Sequence, residues 1–202
     1  MTIRLLLADD QVLVRQALGT LLGLEDDFSV VAQVGRGDEV VDAAREHRPD
    51  VALLDIEMPG LDGLAAAAVL AEQLPDCRVV VLTTFGRAGY LRRAMEAGAV
   101  GFVVKDAPAE TLADAIRRVM RGERVVDPAL AVATLAAGES PLTARERDVL
   151  IAARSGASVA EIAGNLYLSE GTVRNYLSGA IAKTGTRNRM EALRVADDRG
   201  WL

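Results

Sequence analysis

The sequence contains almost none of the residues that form disulfides or bind transition metals. It has one cysteine, Cys77, and one histidine, His47, among its 202 residues. A single cysteine excludes an intramolecular disulfide framework and every metal site that needs several cysteines. A single histidine excludes the metal-binding motifs that are built on a pair of histidines. The common structural and catalytic zinc sites are therefore excluded.

The sequence also lacks a long apolar segment near its beginning. The first apolar run, Ile3–Ala8, is short and is followed by two acidic residues. Such a run is too short for a signal peptide or for a membrane-spanning helix. With 50% hydrophobic and 26% charged residues, the composition is that of a globular protein rather than of a disordered chain. We therefore expect a folded, soluble protein of the cytoplasm.

The charge of the chain is distributed unevenly. The net charge is −6 overall, but residues 1–139 carry −8 and residues 140–202 carry +2. A length of 202 residues suits one large domain or two small ones. An acidic first part and a mildly basic second part indicate two domains with different tasks.

The first 122 residues alternate short apolar runs with amphipathic or alanine-rich segments. The apolar runs predict five strands, at Ile3–Ala8, Phe28–Val34, Val51–Leu54, Arg78–Leu82 and Gly101–Val104. A helix is predicted after each strand, at 11–24, 38–46, 61–74, 89–97 and 109–121. Five strand–helix units in sequence predict an α/β fold in which helices cover both faces of a parallel sheet. We expect a doubly wound, flavodoxin-like domain over residues 1–122, with strand order 2-1-3-4-5.

A linker is predicted between this domain and the rest of the chain. Residues 123–141 are rich in alanine and end at a proline. Such a composition favours a connecting segment, which can include one or more helical turns.

The last part of the chain, residues 142–202, shows only helical patterns. In a capping box, serine or threonine is followed three residues later by glutamate, and this pattern marks helix starts at Thr143 and Ser158. Two further helices are predicted from Ser169 to about Lys183 and over about 188–198. We therefore expect a small all-α domain of four short helices.

Polar side chains follow four of the predicted strands at the point where each strand ends. Asp9 and Asp10 follow the first strand, Asp55 the third, Thr83 the fourth and Lys105 the fifth, whereas no charged residue follows the second. In the expected order these four strands are adjacent, and their carboxyl ends meet where such folds bind ligands. The sequence therefore predicts one site that contains all five side chains.

The residue types at this site suit the transfer of a phosphoryl group to a carboxylate. Two carboxylates about 4 Å apart repel each other by about 4 kcal/mol at an effective dielectric constant near 20, and a divalent cation relieves this repulsion. Mg²⁺ prefers a few carboxylates together with water and phosphate oxygens. The cation and Lys105 would balance the charge of the phosphoryl oxygens, and Thr83 would supply a hydroxyl donor. We therefore predict Mg²⁺ as the cofactor.

The predicted helix that begins at Ser169 has an apolar stripe and a polar face with Arg174, Asn175 and Ser178. Arginine can bind guanine and asparagine can bind adenine through two hydrogen bonds each, so this face suits the reading of bases in the major groove. Ser169 can cap this helix, and Thr172 lies in its first turn, where a phosphate could dock. Contacts to the DNA backbone are expected from four basic residues: Lys183, Arg187, Arg189 and Arg194. A solvated surface is the alternative meaning of the same polar face.

The strand-end residues belong to motifs that resemble the receiver domain of bacterial two-component response regulators. The motifs are Asp9-Asp10, Asp55–Gly63, Leu82–Thr84 and Phe102–Lys105. The resemblance covers about residues 1–122 and implies that Asp55 is the phosphoacceptor.

The same resemblance implies roles for the other residues of the site. The expected ligands of Mg²⁺ are Asp10 and Asp55, Asp9 directly or through water, and the backbone carbonyl of Glu57. Thr83 and Lys105 are expected to contact the phosphoryl group. Phe102 matches the aromatic switch position, whose rotamer follows Thr83.

The helical part resembles the LuxR-type DNA-binding domain, through Leu142–Leu150, Ala160–Ala163 and Leu168–Arg174. Together the two parts resemble the NarL/FixJ class of response regulators. The resemblance implies a transcription regulator that a sensor histidine kinase phosphorylates, that forms a homodimer when phosphorylated and that binds a double-stranded DNA operator. Two segments are most similar to regulators of membrane-lipid genes, namely Thr83–Tyr90 and Gly171–Tyr176. Membrane-lipid genes are therefore an expected target.

Two other functions remain open from the sequence. A Mg²⁺-dependent phosphohydrolase of the haloacid dehalogenase type also has aspartate, threonine and lysine at strand ends, but its nucleophile lies on the first strand rather than the third. A regulator that needs no phosphate would use the first domain only for dimerisation, and the presence of all the acidic residues argues against it. We expect a regulator that is not an enzyme, apart from its own phosphotransfer and slow dephosphorylation.

Overall fold

The chain folds as two units in the computed structural model, which describes residues 2–84, 88–136 and 140–202. Among the described residues, the first unit comprises 2–84 and 91–131, and the second comprises 88–90, 132–136 and 140–202. Among the residues that the structure describes, none of the helices has the length and apolar character that a membrane crossing requires.

A parallel sheet forms the centre of the first unit. Its strands are β1 (Ile3–Ala8), β2 (Phe28–Val34), β3 (Val51–Asp55), β4 (Arg78–Thr83), β5 (Gly101–Val104) and β6 (Val125–Val126). They lie in the order β2-β1-β3-β4-β5-β6, and every neighbouring pair is parallel. The predicted order of the first five strands is confirmed. The sixth strand was not predicted because two valines are too short a run to indicate a strand.

Helices connect the strands of the first unit. They are α1 (Val12–Leu22), α2 (Val40–His47) after a 3-10 turn (Gly37–Glu39), α3 (Gly63–Gln73), α4 (Ala88–Glu96) and α5 (Ala109–Met120). Each lies within a few residues of its predicted place. The start of α3 is fixed by Asp62, whose carboxylate accepts a hydrogen bond from the backbone nitrogen of Ala65 at 2.8 Å.

The central strands are buried on both faces because their side chains are apolar on both sides. Val51–Leu54 in β3 are 0% exposed, and Val79–Leu82 in β4 are at most 2% exposed. A parallel sheet between two layers of helices requires such continuous burial. Polar side chains are therefore confined to the strand ends, where Asp55 and Thr83 lie.

The segment predicted as a linker, 123–141, contains regular structure. It includes β6 and then helix α6 (Pro128–Ala136). Asp127 starts α6, since its carboxylate accepts a hydrogen bond from the backbone nitrogen of Leu130 at 3.0 Å. Residues 137–139 of the predicted linker lie outside the described residues.

Four short helices account for most of the second unit. They are α7 (Ala144–Ala152), α8 (Val159–Asn165), α9 (Glu170–Thr184) and α10 (Arg189–Asp198). Both predicted capping boxes are present, at Thr143 and Ser158. Apolar side chains of the four helices pack together with Trp201 in one core. The predicted all-α domain of four helices is confirmed.

Candidate functional site

The carboxyl edge of the sheet brings oppositely charged side chains together. Asp55 is the last residue of β3, and Asp9 and Lys105 directly follow β1 and β5. The Nζ atom of Lys105 lies 2.8 Å from Oδ2 of Asp9 and 2.8 Å from Oδ2 of Asp55. Each of the three side chains is at most 7% exposed, so the cluster is largely shielded from water.

Backbone amides fix the orientation of both buried carboxylates. Oδ1 of Asp9 accepts a hydrogen bond from the backbone nitrogen of Gln11 at 2.9 Å. Oδ1 of Asp55 accepts one from the backbone nitrogen of Ile56 at 2.8 Å. One oxygen of each carboxylate is therefore held by the main chain, while the other lies beside Lys105.

The start of α3 packs directly on the backbone of Asp55. The backbone nitrogen of Gly63 donates a hydrogen bond to the carbonyl oxygen of Ile56 at 3.0 Å. A Cβ atom at Gly63 would lie 1.8 Å from the carbonyl oxygen of Asp55, so only glycine fits there. Gly63 is part of a motif in the sequence, but the motif alone gave no sign of this contact.

Three carboxylates at this edge can hold a metal ion. Asp9, Asp10 and Asp55 each offer one oxygen, and these oxygens lie within 4.8 Å of one another. A site made of carboxylate oxygens fits a hard divalent cation. Asp10 is exposed whereas the other two are buried, so the site has one side open to solvent. Glu57, whose carbonyl was predicted as a further ligand, lies two residues after β3.

The electrostatics of the cluster follow from burial and from the ion pairs. Burial raises the pKa of the Asp55 carboxyl above its ordinary value, and the hydrogen bond with Lys105 opposes this rise only in part. Burial disfavours the charged form of Lys105, but its bonds to Asp55 and Asp9 outweigh burial and raise its pKa. The three carboxylates outnumber the one ammonium group, so the site attracts a cation.

Thr83 and Phe102 lie on neighbouring strands beside this cluster. Thr83 ends β4 and is buried, and its carbonyl oxygen accepts a hydrogen bond from the backbone nitrogen of Lys105 at 2.7 Å. Phe102 pairs with Val81 across β4 and β5 and is 2% exposed. The ring of Phe102 is therefore already inside the protein.

The second candidate site is the exposed face of α9. Ser169 caps the helix, because its Oγ accepts a hydrogen bond from the backbone nitrogen of Thr172 at 3.1 Å. The buried face of the helix consists of Val173, Leu177 and Ala180. The three predicted base-reading residues are all exposed: Arg174, Asn175 and Ser178. The helix thus presents them to the outside as a set.

Arg174 and Arg187 are the exposed arginines among the predicted DNA contacts. The guanidinium of Arg174 lies 2.6 Å from the carboxylate of Glu170 one turn earlier, and both side chains are about half exposed or more. Such an exposed pair contributes little to stability and can exchange its partner for a base or a phosphate. Arg187 follows α9, and its backbone nitrogen donates to the carboxylate of Glu191 at 3.1 Å.

Lys183 has a structural partner that the sequence did not reveal. Its Nζ lies 2.7 Å from Oε2 of Glu146, a carboxylate that is only 8% exposed. The same oxygen accepts a hydrogen bond from the backbone nitrogen of Thr143 at 2.7 Å, as part of the capping box of α7. A Cβ atom at Gly179 would lie 2.6 Å from Oε1 of Glu146. Glu146 therefore joins the start of α7 to the end of α9.

Comparisons with known proteins define the class to which this chain belongs. Residues 5–117 match the response regulator receiver domain, and residues 140–196 match the luxR family of bacterial regulatory proteins. The chain therefore belongs to the response regulators that combine a receiver with a LuxR-type DNA-binding domain, the NarL/FixJ class. Members of this class regulate transcription, so the phosphohydrolase alternative is rejected.

Individual relatives support this assignment over the whole chain. The transcriptional regulatory protein DesR of Bacillus subtilis is 44% identical over 202 residues, covering 99% of each chain. The response regulator RamR of Streptomyces coelicolor is 43% identical and covers 98% of each. The crystal structure of the response regulator ChrA of a heme-sensing two-component system has a TM-score of 0.59 at 33% identity and covers 100% of this chain and 99% of its own. A structure of the RcsB–DNA complex, with a TM-score of 0.70 at 21% identity, shares the fold.

Proposed function

We propose that Asp55 accepts a phosphoryl group from a sensor histidine kinase and that this modification controls DNA binding by α9. The observation that carries the proposal is the buried cluster in which Lys105 lies 2.8 Å from a carboxylate oxygen of Asp9 and of Asp55. The cluster supplies the Asp55 carboxylate as a nucleophile and the Lys105 ammonium as a positive charge. Both lie in an acidic site that is open to solvent on one side.

The reaction is a transfer from nitrogen to oxygen. A carboxylate oxygen of Asp55 attacks the phosphorus of the kinase phosphohistidine, the phosphorus–nitrogen bond breaks, and the histidine takes up a proton. Lys105 stabilises the charge of the phosphoryl oxygens, and the Thr83 hydroxyl donates a hydrogen bond to one of them. Mg²⁺, held by Asp9, Asp10, Asp55 and the carbonyl of Glu57, would supply further charge neutralisation.

The phosphoryl group changes the bonding of the cluster. Lys105 divides its contacts between Asp9 and Asp55, and a phosphoryl oxygen on Asp55 would become its third acceptor. Thr83, one strand away, would turn towards the same group. Since Phe102 is buried on the next strand, a movement of Thr83 changes the space that its ring can occupy. These two residues are the proposed switch.

Each segment of the chain has its own proposed role. Residues 1–122 form the phosphoacceptor domain, 123–141 connect, and 142–202 bind DNA. Phosphorylation is proposed to favour a homodimer, either through the helix 4–strand 5–helix 5 face or through the helix 1–helix 5 face. Exposed apolar side chains on and beside α1, such as Leu13 at 80% and Leu24 at 75% exposure, favour the second face.

In the DNA-binding domain, the exposed face of α9 is proposed to lie in the major groove. Arg174, Asn175 and Ser178 would contact base edges. The backbone contacts would come from the following residues: Ser169, Thr172, Lys183 and Arg187. Lys183 can contact a phosphate while it keeps its bond to Glu146, because an ammonium group has three donors.

The proposed function has consequences for the location and the targets of the protein. A regulator that receives phosphoryl groups from a kinase and acts on DNA works in the cytoplasm. Control of membrane-lipid genes, suggested by two sequence segments, stays a prediction. A regulator that works without phosphate is the competing possibility, and the test below separates the two.

Intact mass measured after incubation with acetyl phosphate tests the proposal. The wild-type chain should gain one phosphoryl group when Mg²⁺ is present, and Asp55→Asn should gain none. Asp10→Asn serves as a second variant, which should need more Mg²⁺ for the same yield. An equal gain in wild type and Asp55→Asn would contradict the assignment of the phosphoacceptor. No gain in any sample, together with DNA binding by the untreated chain, would favour the phosphate-independent regulator.

A further inference from the structure

The turn between α8 and α9 contains a tyrosine that the fold does not use. Tyr167 is 96% exposed, so its ring gains nothing from packing. Its φ angle is +54°, in the left-handed region, which residues with a Cβ atom occupy at a cost relative to glycine. Stability alone would favour glycine at this position.

The first turn of α9 contains a glycine at a position where a larger residue would stabilise the helix. Gly171 has a helical backbone without a positive φ, and glycine destabilises a helix relative to alanine. A Cβ atom at Gly171 would meet only the Oγ of Ser169, at an ordinary contact distance of 3.8 Å. No close approach within the described residues therefore requires a glycine there.

Gly171 lies on the face of α9 that carries the predicted base-reading side chains, and Tyr167 lies just before the start of this helix. Gly171 precedes Arg174, Asn175 and Ser178 by three, four and seven positions, which places all four on one side of the helix. Tyr167 lies two residues before the cap of the same helix. In a helix-turn-helix protein, this end of the second helix faces the base edges.

We propose that the DNA-contact surface continues from the exposed face of α9 across Gly171 to Tyr167. The phenolic hydroxyl of Tyr167 donates a hydrogen bond to a backbone phosphate, as tyrosines do at protein–DNA interfaces. The missing side chain of Gly171 lets the duplex approach the helix. Residues that lower stability and make no compensating contact within the fold are typical of functional sites. The inference rests on the proposed DNA-binding function of α9.

The test uses the full chain, treated with acetyl phosphate, and a duplex that the wild type has enriched from a pool of random double-stranded DNA. Tyr167→Phe removes only the hydroxyl and should weaken binding of this duplex about tenfold, the effect of losing one hydrogen bond to a charged group. Tyr167→Gly should weaken binding at least as much, yet raise the melting temperature. Gly171→Ala should also weaken binding and raise the melting temperature.

Gly164→Ala is the matched control. Gly164 lies in α8, and a Cβ atom there would meet nothing within 4 Å. This variant should raise the melting temperature and bind the duplex within twofold of wild type. If both Tyr167 variants and Gly171→Ala also bind within twofold of wild type, the inference is wrong while the proposed function stands. If the wild type enriches no duplex, the proposed function of α9 itself fails. If the Tyr167 variants bind the duplex normally but no longer regulate transcription, Tyr167 contacts a protein partner instead of DNA. This result would overturn the inference.

Discussion

The ion pair between Glu146 and Lys183 should hold α9 in place, and replacing Glu146 by glutamine tests this. Glutamine keeps the shape of the side chain and can still complete the capping box with Thr143. The change therefore removes the charge alone. Lys183 then loses its ion pair with a carboxylate that is 8% exposed and lies 2.7 Å from its Nζ, and it can keep only a hydrogen bond to a neutral amide oxygen.

The expected loss of stability is about 2 kcal/mol. Hydrogen bonds to charged groups contribute about 1.5–3 kcal/mol. The upper part of that range does not apply, because the Lys183 side chain is 37% exposed and water screens its charge. For a domain of this size, a loss of about 2 kcal/mol lowers the melting temperature by about 10 °C.

The assay is thermal and urea unfolding followed by tryptophan fluorescence. Trp201 is the only tryptophan of the chain and is buried in the core of the DNA-binding domain, so it reports on this domain. Lys183→Met and the double variant complete a thermodynamic cycle. A coupling energy below about 0.3 kcal/mol between the two positions would refute the reasoning.

The same pair should make stability depend on pH in acid. Burial opposes the ionised form of Glu146, but the hydrogen bonds from Lys183 and Thr143 prevail and lower its pKa below the ordinary 4.5. A lowered pKa in the folded state stabilises the protein fully above about pH 4.5, and this contribution is lost as the pH falls through the folded value. The difference between wild type and Glu146→Gln should therefore shrink below about pH 4.5.

Three further changes test the account elsewhere. Lys105→Met leaves two buried carboxylates without their cation and should lower the free energy of unfolding in urea by about 3 kcal/mol when Mg²⁺ is absent. Added Mg²⁺ should restore part of this stability. A variant as stable as wild type would contradict the role of Lys105. Gly63→Ala forces a Cβ atom to 1.8 Å from a backbone oxygen of Asp55 and should cost at least about 3 kcal/mol in the same assay; a loss below about 1 kcal/mol would refute the close contact. Cys77 is buried, and burial raises the pKa of its thiol to about 11. A thiol reagent at pH 8 should therefore label it only after unfolding. Rapid labelling of the native protein would show that the thiol is accessible.

The strands and the acidic site were predictable because their signals are local. Ile3–Ala8, Phe28–Val34 and Gly101–Val104 were predicted with their observed bounds, since each is a short, mostly apolar run. The β3 strand was predicted one residue short, because Asp55 is polar yet still pairs with Leu82. Once the strand order was assumed, the polar residues at the strand ends indicated the site. The short β6 strand has no such local signal.

The long-range contacts were not predictable from the sequence. The capping box indicated that Glu146 caps α7, but nothing in the sequence linked it to Lys183, 37 residues later. Gly63 and Gly179 are small because another part of the chain approaches them, which a linear pattern does not show. The left-handed φ of Tyr167 is equally hidden, because the residue type argues against it. The sequence therefore predicted elements and clusters, and the structure added the contacts between them.

The most direct test of the central claim is the affinity for the enriched duplex with and without phosphorylation of Asp55. The account predicts that acetyl phosphate with Mg²⁺ strengthens DNA binding by the wild-type chain about tenfold or more and leaves Asp55→Asn unchanged. Equal affinity of the phosphorylated and unphosphorylated wild-type chain would contradict the claim that phosphorylation of Asp55 controls DNA binding.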